Sequence, residues 1–141
     1  MKNKVKQITD AVLSGRKMST LFESDEIPVT MNPYVIPVNT EALSNSEFRK
    51  IAWTGTYLQL TVMNIPVGGS VGLELHEDTD QLLRVEQGEA KVQFGKTEEL
   101  GDEHLMTVGD AFLVPAGTWH DVINTGDIEL KLSSVYAPPH H

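Results

Sequence analysis

From Tyr34 onward the hydrophobic positions come in short runs punctuated by Gly, Pro and Asp. Residues 56–65 alternate polar and apolar side chains over part of their length, and Pro66 and the Gly68-Gly69 pair end the run. Residues 72–76 alternate again, Glu-Asp-Thr-Asp at 77–80 is a polar turn, and residues 81–86 return before Gly88. Residues 90–94, 105–108, 111–114, 118–124 and 128–136 complete the series, with 96–103 as a polar surface turn. Period-two alternation bounded by turn formers predicts strands. Eight or nine short strands with no long amphipathic helix between them predict a sandwich or barrel. That number includes residues 34–38, a short strand interrupted by Pro37, and residues 44–47 read as a connector with room for one helical turn. Upstream, Val5, Ile8 and Val12 are spaced for one side of a short helix that Ser14-Gly15 would end. Residues 1–30 are too short to bury a core of their own. They are expected to be an N-terminal arm to a barrel of residues 31–141, covering the outer face of their own barrel or a partner's.

The stretch from Gly72 to Gly88 holds the candidate chemistry. Glu74 and His76 lie two residues apart, so on a strand they share a face. A hairpin closed at 77–80 sets Gln81 opposite His76 and Leu83 opposite Glu74. A carboxylate, an imidazole and an amide oxygen then converge as three metal ligands would. Leu73 and Leu75 alternate with the polar pair, which also suits a half-buried strand with Glu74 and His76 in solvent. The return strand favours the enclosed arrangement. Leu83 and Val85 fall on the Gln81 face, while Arg84 and Glu86 fall on the other. Polar groups on an enclosed apolar face need compensation, and a bound ion supplies it.

Composition narrows the partners. Asp and Glu number 20 against 11 Lys and Arg, for a formal net charge of −9. That argues against nucleic acid and anionic membrane surfaces and makes a cation a natural ligand. The absence of cysteine removes disulfides, thiolate chemistry and sulfur-ligated metals. The basic first residues lead into no apolar run, so neither a signal peptide nor a membrane span is expected, and the cytoplasm is the expected location.

A second stretch, 109–124, carries a specific pattern. Gly109, Pro115, Gly117, His120 and Asn124 have the spacing of the second cupin motif without a gap. The first motif is present in altered form. Glu74 stands where its first His is expected, His76 keeps the second, Gln81 stands in the Glu position and Gly88 closes the motif. The chain therefore resembles the cupins over about residues 47–139. This implies an all-β jelly-roll barrel (double-stranded β-helix) with a metal inside, and His120 as the fourth ligand beside Glu74, His76 and Gln81. Residues 49–55, 72–76, 80–88 and 134–141 are further similar to a bacterial subgroup described as mannose-6-phosphate isomerase-like. Zinc phosphomannose isomerases hold their metal with one Gln, one Glu and two His, and this chain has that inventory with Gln and Glu exchanged. Arg49 and Lys50 are the only paired basic residues near the barrel, and the sequence gives them no place inside it.

Such a donor set suits a divalent ion: zinc, manganese, iron or nickel. Three chemistries fit it. A redox-inert ion would polarise a carbonyl beside a hydroxyl and isomerise a sugar. Glu74, His76 and His120 would serve iron and dioxygen as a two-His-one-carboxylate set. Or the site would bind a small oxygen-rich molecule without turnover. No catalytic residue is assigned beyond the ligands. Leu73, Leu75 and Leu82, beside Arg84, form an exposed apolar surface and predict a homodimer. His104 is expected in solvent and His140 and His141 in a tail. Trp119 is expected in outer packing or a dimer contact, Asn124 at a strand-end hydrogen bond, and Met63, Phe94 and Phe112 in core packing.

Overall fold

A computed structural model describes residues 32–139. The helix expected around Val5, Ile8 and Val12, the arm 1–30, and His140 and His141 lie outside the described residues. Within them are one helix, α1 (Val38–Ser44), and eight strands: β1 (Arg49–Thr54), β2 (Gln59–Ile65), β3 (Asp80–Gln87), β4 (Ala90–Gly95), β5 (Asp102–Met106), β6 (Ala111–Val114), β7 (Trp119–Asn124) and β8 (Leu130–Ala137). All pairings between strands are antiparallel, in a five-stranded sheet ordered β1-β2-β8-β3-β6 and a three-stranded sheet ordered β5-β4-β7. No helix among the described residues is long and apolar enough to cross a membrane.

The core lies between the sheets. Met63, Ile65, Leu83, Val85, Leu130 and Leu132 of the larger sheet pack with Ala90, Val92, Met106 and Val122 of the smaller one. Each large side chain so buried contributes roughly 1.5–3 kcal/mol relative to exposure. The same two-residue period that turns Val122 inward also buries His120 and Asn124. Asn124 closes β7 as a hydrogen-bonding hub, its Nδ2 donating to the carbonyls of Ile65, Pro66 and Ile128.

Several expected elements move. Residues 34–38 are not a strand: residues 33–37 are irregular and Val38 opens α1. Pro33 and Pro37 lack the N–H groups that a ladder needs. The helical turn expected at 44–47 is the end of α1 followed by an Asx turn, in which the Asn45 side chain bonds both backbone groups of Glu47. β1 is a strand that the alternation did not reveal. It is an edge strand whose first three residues are exposed, and charged Arg49 and Lys50 suit such an edge. β2 begins at Gln59 because residues 55–58 turn, with Gly55 N–H on the Leu58 carbonyl at 2.8 Å.

The expected hairpin across 77–80 does not form. Gln81 pairs with Val114 and Tyr136, and Leu83 with Phe112 and Ser134, because β6 and β8 occupy both edges of β3. Residues 69–76 instead run beside β7 in the other sheet. Asn124 N–H bonds the Gly69 carbonyl, Val71 N–H the Val122 carbonyl, and Glu74 and His120 bridge. Residues 77–80 thus carry the chain from one sheet to the other. Leu73 and Leu75 therefore do not share a face with Leu82, as the hairpin required.

Candidate metal centre

Four side chains meet inside the barrel from three places in the fold. Glu74 and His76 come from the irregular segment beside β7, His120 from β7 and Gln81 from the start of β3. The segment is pinned by the Glu74–His120 bridge and by Gly117, whose N–H donates to the His76 carbonyl at 2.8 Å. Gly117 holds φ at +86°, which a side chain would strain. This is why a glycine of the second motif bears on a histidine of the first.

The donor atoms are close. His76 Nε2 lies 3.2 Å from Glu74 Oε1, and His120 Nε2 lies 3.8 Å from the same oxygen. Gln81 Oε1 lies 3.2 Å from His120 Nε2. Ligand atoms of Glu74, His76 and His120 all fall within 4.8 Å of one another. Donors bound at about 2.0–2.2 Å to one first-row ion sit roughly 3–3.6 Å apart; the two 3.2 Å separations fall in that range, and the 3.8 Å one needs a small closing movement. The histidines and Gln81 are buried, at 6%, 1% and 3% exposure, while the Glu74 side chain is 21% exposed.

Protonation supports the same fit. His120 Nδ1 lies 2.9 Å from the Thr118 carbonyl, which accepts only if Nδ1 carries the proton. Burial holds the imidazole below its ordinary range, outweighing that hydrogen bond, and so favours the neutral ring. Neutral His120 then turns an unprotonated Nε2 toward the Gln81 amide and the Glu74 carboxylate. A backbone-fixed Nδ1–H is how metal-binding imidazoles are oriented. Burial pushes the Glu74 carboxyl up, but the His76 hydrogen bond and the Arg49 charge outweigh it and leave the pKa lowered. Glu74 is therefore ionised where the donors gather.

Two neighbours escaped the sequence reading. Arg49 Nη2 donates to Glu74 Oε2 at 3.2 Å, so the basic residue with no expected place in the barrel is paired with the carboxylate of the site. Tyr136 of β8 sits edge-on to His76, with ring centroids 5.7 Å apart. Burial raises the Tyr136 pKa, and the nearby Arg49 charge opposes the rise. Arg49 is distant from the motifs in sequence, and its strand register sets it across from Met63, so only its long side chain reaches the Tyr136 ring, with Cζ 5.9 Å from the centroid. Phe112 lies beside His120, at 6.3 Å between centroids, and packs against the core with Phe94, while Met63 is fully buried. His104 is exposed and stacks on Phe94. Trp119 is partly exposed at the start of β7.

The model of the Cupin domain family matches residues 61–136, more than half of the chain. The chain belongs to the cupin family. It is 46% identical over 110 residues to the uncharacterized protein YrkC of Bacillus subtilis, a match covering 77% of this chain and 59% of that one. The chain thus spans about three fifths of that relative's length. The uncharacterized protein L612 of Acanthamoeba polyphaga mimivirus is 36% identical over 109 residues, covering 77% of this chain and 67% of that one. Among solved structures, BH2720 from Bacillus halodurans superposes with a TM-score of 0.76 at 47% identity, covering 78% of this cupin and 84% of that chain. The fold is the cupin double-stranded β-helix, and its Glu/His/His group has the composition and spacing to bind a metal.

Proposed function

We propose that this cupin holds one divalent ion through Glu74, His76 and His120, with Gln81 as a weaker fourth donor, and acts through it on a small oxygen-rich molecule. The observation that carries this is the convergence of Glu74, His76 and His120, whose ligand atoms all lie within 4.8 Å of one another, with Glu74 ionised. When bound, such an ion supplies Lewis acidity toward a carbonyl or hydroxyl oxygen. The chain's own residues do the rest. Thr118 orients the His120 ring, Gly117 fixes the His76 backbone, and Phe112 helps keep the buried side of the site dry. Zinc, manganese, iron and nickel all suit this donor set.

Isomerisation of a hydroxy-carbonyl compound, on the pattern of a mannose-6-phosphate isomerase-like protein, is the first reading. It rests on the one-Gln, one-Glu, two-His inventory. The two-His-one-carboxylate subset favours a second reading, a non-haem iron dioxygenase, and a purely ligand-binding cupin is the third. Metal analysis of protein purified without added metal or a nickel column, followed by oxygen uptake and sugar turnover assays, separates them. Iron with oxygen consumption selects the second, and zinc or manganese with turnover of a sugar selects the first. A stoichiometric ion with neither activity selects the third.

The proposal extends to assembly and location. A single apolar row crosses the outer face of the larger sheet, one residue per strand: Trp53, Leu60, Val135, Leu82 and Leu113 are successive cross-strand partners. Leu113 is 69% exposed, and Val135 lines grooves on both sides of β8. A continuous apolar strip on one face can meet its own copy across a two-fold axis, so a homodimer through this row is proposed. The cysteine-free composition suits a reducing compartment, and the cytoplasm is the proposed location.

A further inference from the structure

We infer that Arg49 and the ion proposed at Glu74, His76 and His120 together form a subsite for a small carboxylate with an oxygen on the neighbouring carbon, such as an α-hydroxy acid. The inference rests on the metal reading above and adds the substrate class to it. The Glu74 carboxylate already bridges the two halves of the subsite. Its Oε2 accepts from Arg49 Nη2 at 3.2 Å, and its Oε1 faces His76 Nε2 at 3.2 Å and His120 Nε2 at 3.8 Å. One carboxylate group thus separates the guanidinium from the imidazoles. A molecule with two oxygens on adjacent carbons spans a similar interval.

Arg49 has donors to offer such a molecule. A guanidinium carries five N–H groups in a planar fork. Among the described residues, Glu74 is the side chain to which Arg49 donates, and the Arg49 side chain is 34% exposed. Its orientation is held by aromatic rings, with Cζ 6.0 Å from the Phe48 centroid and 5.9 Å from that of Tyr136. Charge points the same way. A divalent ion, one carboxylate and one guanidinium would leave a local double positive charge in a chain whose formal net charge is −9. Two such positive groups match an anion, and a neutral polyol has no use for the second. Bidentate pairing with a carboxylate is the strong mode of arginine recognition.

Calorimetric titration of the full chain tests this with zinc first and then, on the zinc-loaded protein, with glycolate and its neutral isostere glycolamide. The parent protein, Arg49→Ala and Arg49→Lys are compared. Arg49→Ala should bind zinc as well as the parent or better, because a cation beside Glu74 is gone. It should bind glycolate roughly 10- to 100-fold more weakly, the range for losing a charge-assisted pair. Arg49→Lys should fall between, since it keeps the charge and loses the fork. Glycolamide should bind all three proteins alike, whereas a merely structural role for Arg49 would weaken every titration together. Equal glycolate affinity in the parent and Arg49→Ala overturns the subsite and leaves the metal reading standing. A parent protein that takes up no zinc overturns the metal reading, and the subsite with it.

Discussion

Glu74 and His120 are each other's backbone partner. The Glu74 N–H donates to the His120 carbonyl at 2.9 Å, and the His120 N–H donates to the Glu74 carbonyl at 3.0 Å. Residues paired directly across an antiparallel bridge send their side chains to one face. The backbone therefore brings a carboxylate of the first motif and an imidazole of the second together before any ion is considered. His76, two residues on, stays on that face. Gln81 joins from the opposite sheet, which makes it the donor least fixed relative to the others.

Replacing His120 by Ala should empty the proposed centre. The side chain is 1% exposed and its Nδ1 is held by Thr118, so Nε2 is the donor whose direction the fold controls most closely. Loss of a residue that only orients a ligand costs roughly 10- to 100-fold in metal affinity, and loss of the ligand itself should exceed that. Elemental analysis after dialysis against zinc is the check. Equal stoichiometry in the variant and the parent would show that the ion sits elsewhere.

Glu74→Gln and Gln81→Glu should act in opposite directions. Glu74 is the one carboxylate in the group, and removing its charge should weaken the metal by roughly tenfold or more. Gln81→Glu adds a charge where a neutral amide stands, and should tighten it by a similar factor. Both changes are nearly isosteric, so their melting curves without metal should stay close to the parent's. Acid should compete late. The pKa values of Glu74 and His120 both lie below their ordinary values, so His120 should yield to protons only below its usual 6.5. Metal retention measured against pH should hold down to about that value and then fall. If Gln81→Glu binds more weakly than the parent, the amide is not in the shell.

The barrel was legible in the sequence because its strands are short, alternate in period two and end at glycines and prolines. The second motif showed where His120 turns inward. The company that Glu74, His76 and Gln81 keep was legible as a cluster, but the local route to it was not. Alternation says which residues share a face, and it does not say which strand lies alongside. A four-residue polar turn fits a hairpin and a crossing between sheets equally well, and here residues 77–80 cross. β1 was hidden by its exposed charges, which is how an edge strand is protected. Arg49 was hidden with it, because its approach to Glu74 depends on pairing between β1 and β2. Glu86 was expected on the charged outer face, yet a register shift between Val85 and Gln87 accompanies its burial at 4% exposure beneath α1.

That buried carboxylate should matter for stability. Glu86 accepts from Asn39 of α1 at 2.8 Å, from Ser133 Oγ at 2.7 Å and from Arg84 Nη1 at 2.7 Å. Glu86→Ala leaves buried Ser133 without that acceptor and loosens α1, at a cost of about 2–4 kcal/mol. Burial pushes the Glu86 carboxyl up, but the Asn39, Ser133 and Arg84 contacts outweigh it and leave the pKa below its ordinary 4.5. The unfolded chain then takes up the proton first as pH falls. The contribution is present above 4.5 and is lost as pH drops through the lowered folded value. Urea titrations of the parent and Glu86→Ala should differ at pH 7 and converge in strong acid. A difference that does not depend on pH would mean that the packing of the side chain, and not its charge, stabilises α1.

Charge placed in the apolar row should separate the proposed dimer without harming the site. Leu82 and Leu113 are cross-strand partners on the outer face of β3 and β6. Gln81 and Leu83 on either side of Leu82 are buried facing the interior. Leu113 is 69% exposed in the single chain, so Leu113→Asp removes little packing within the subunit. Leu82→Lys beside it puts a second charge in the middle of the strip, where a two-fold partner would have to desolvate both. The parent should sediment at twice the mass of the chain at micromolar concentration, and the double variant at the mass of one chain. Zinc uptake by the two should match within about twofold, since the imidazoles lie on the inner face and the exposed charges are largely screened from them. A parent protein that sediments as a monomer rules out the row as a dimer interface. A double variant that stays dimeric moves the interface to another face of the barrel, such as the segment beside β7 that carries exposed Leu73.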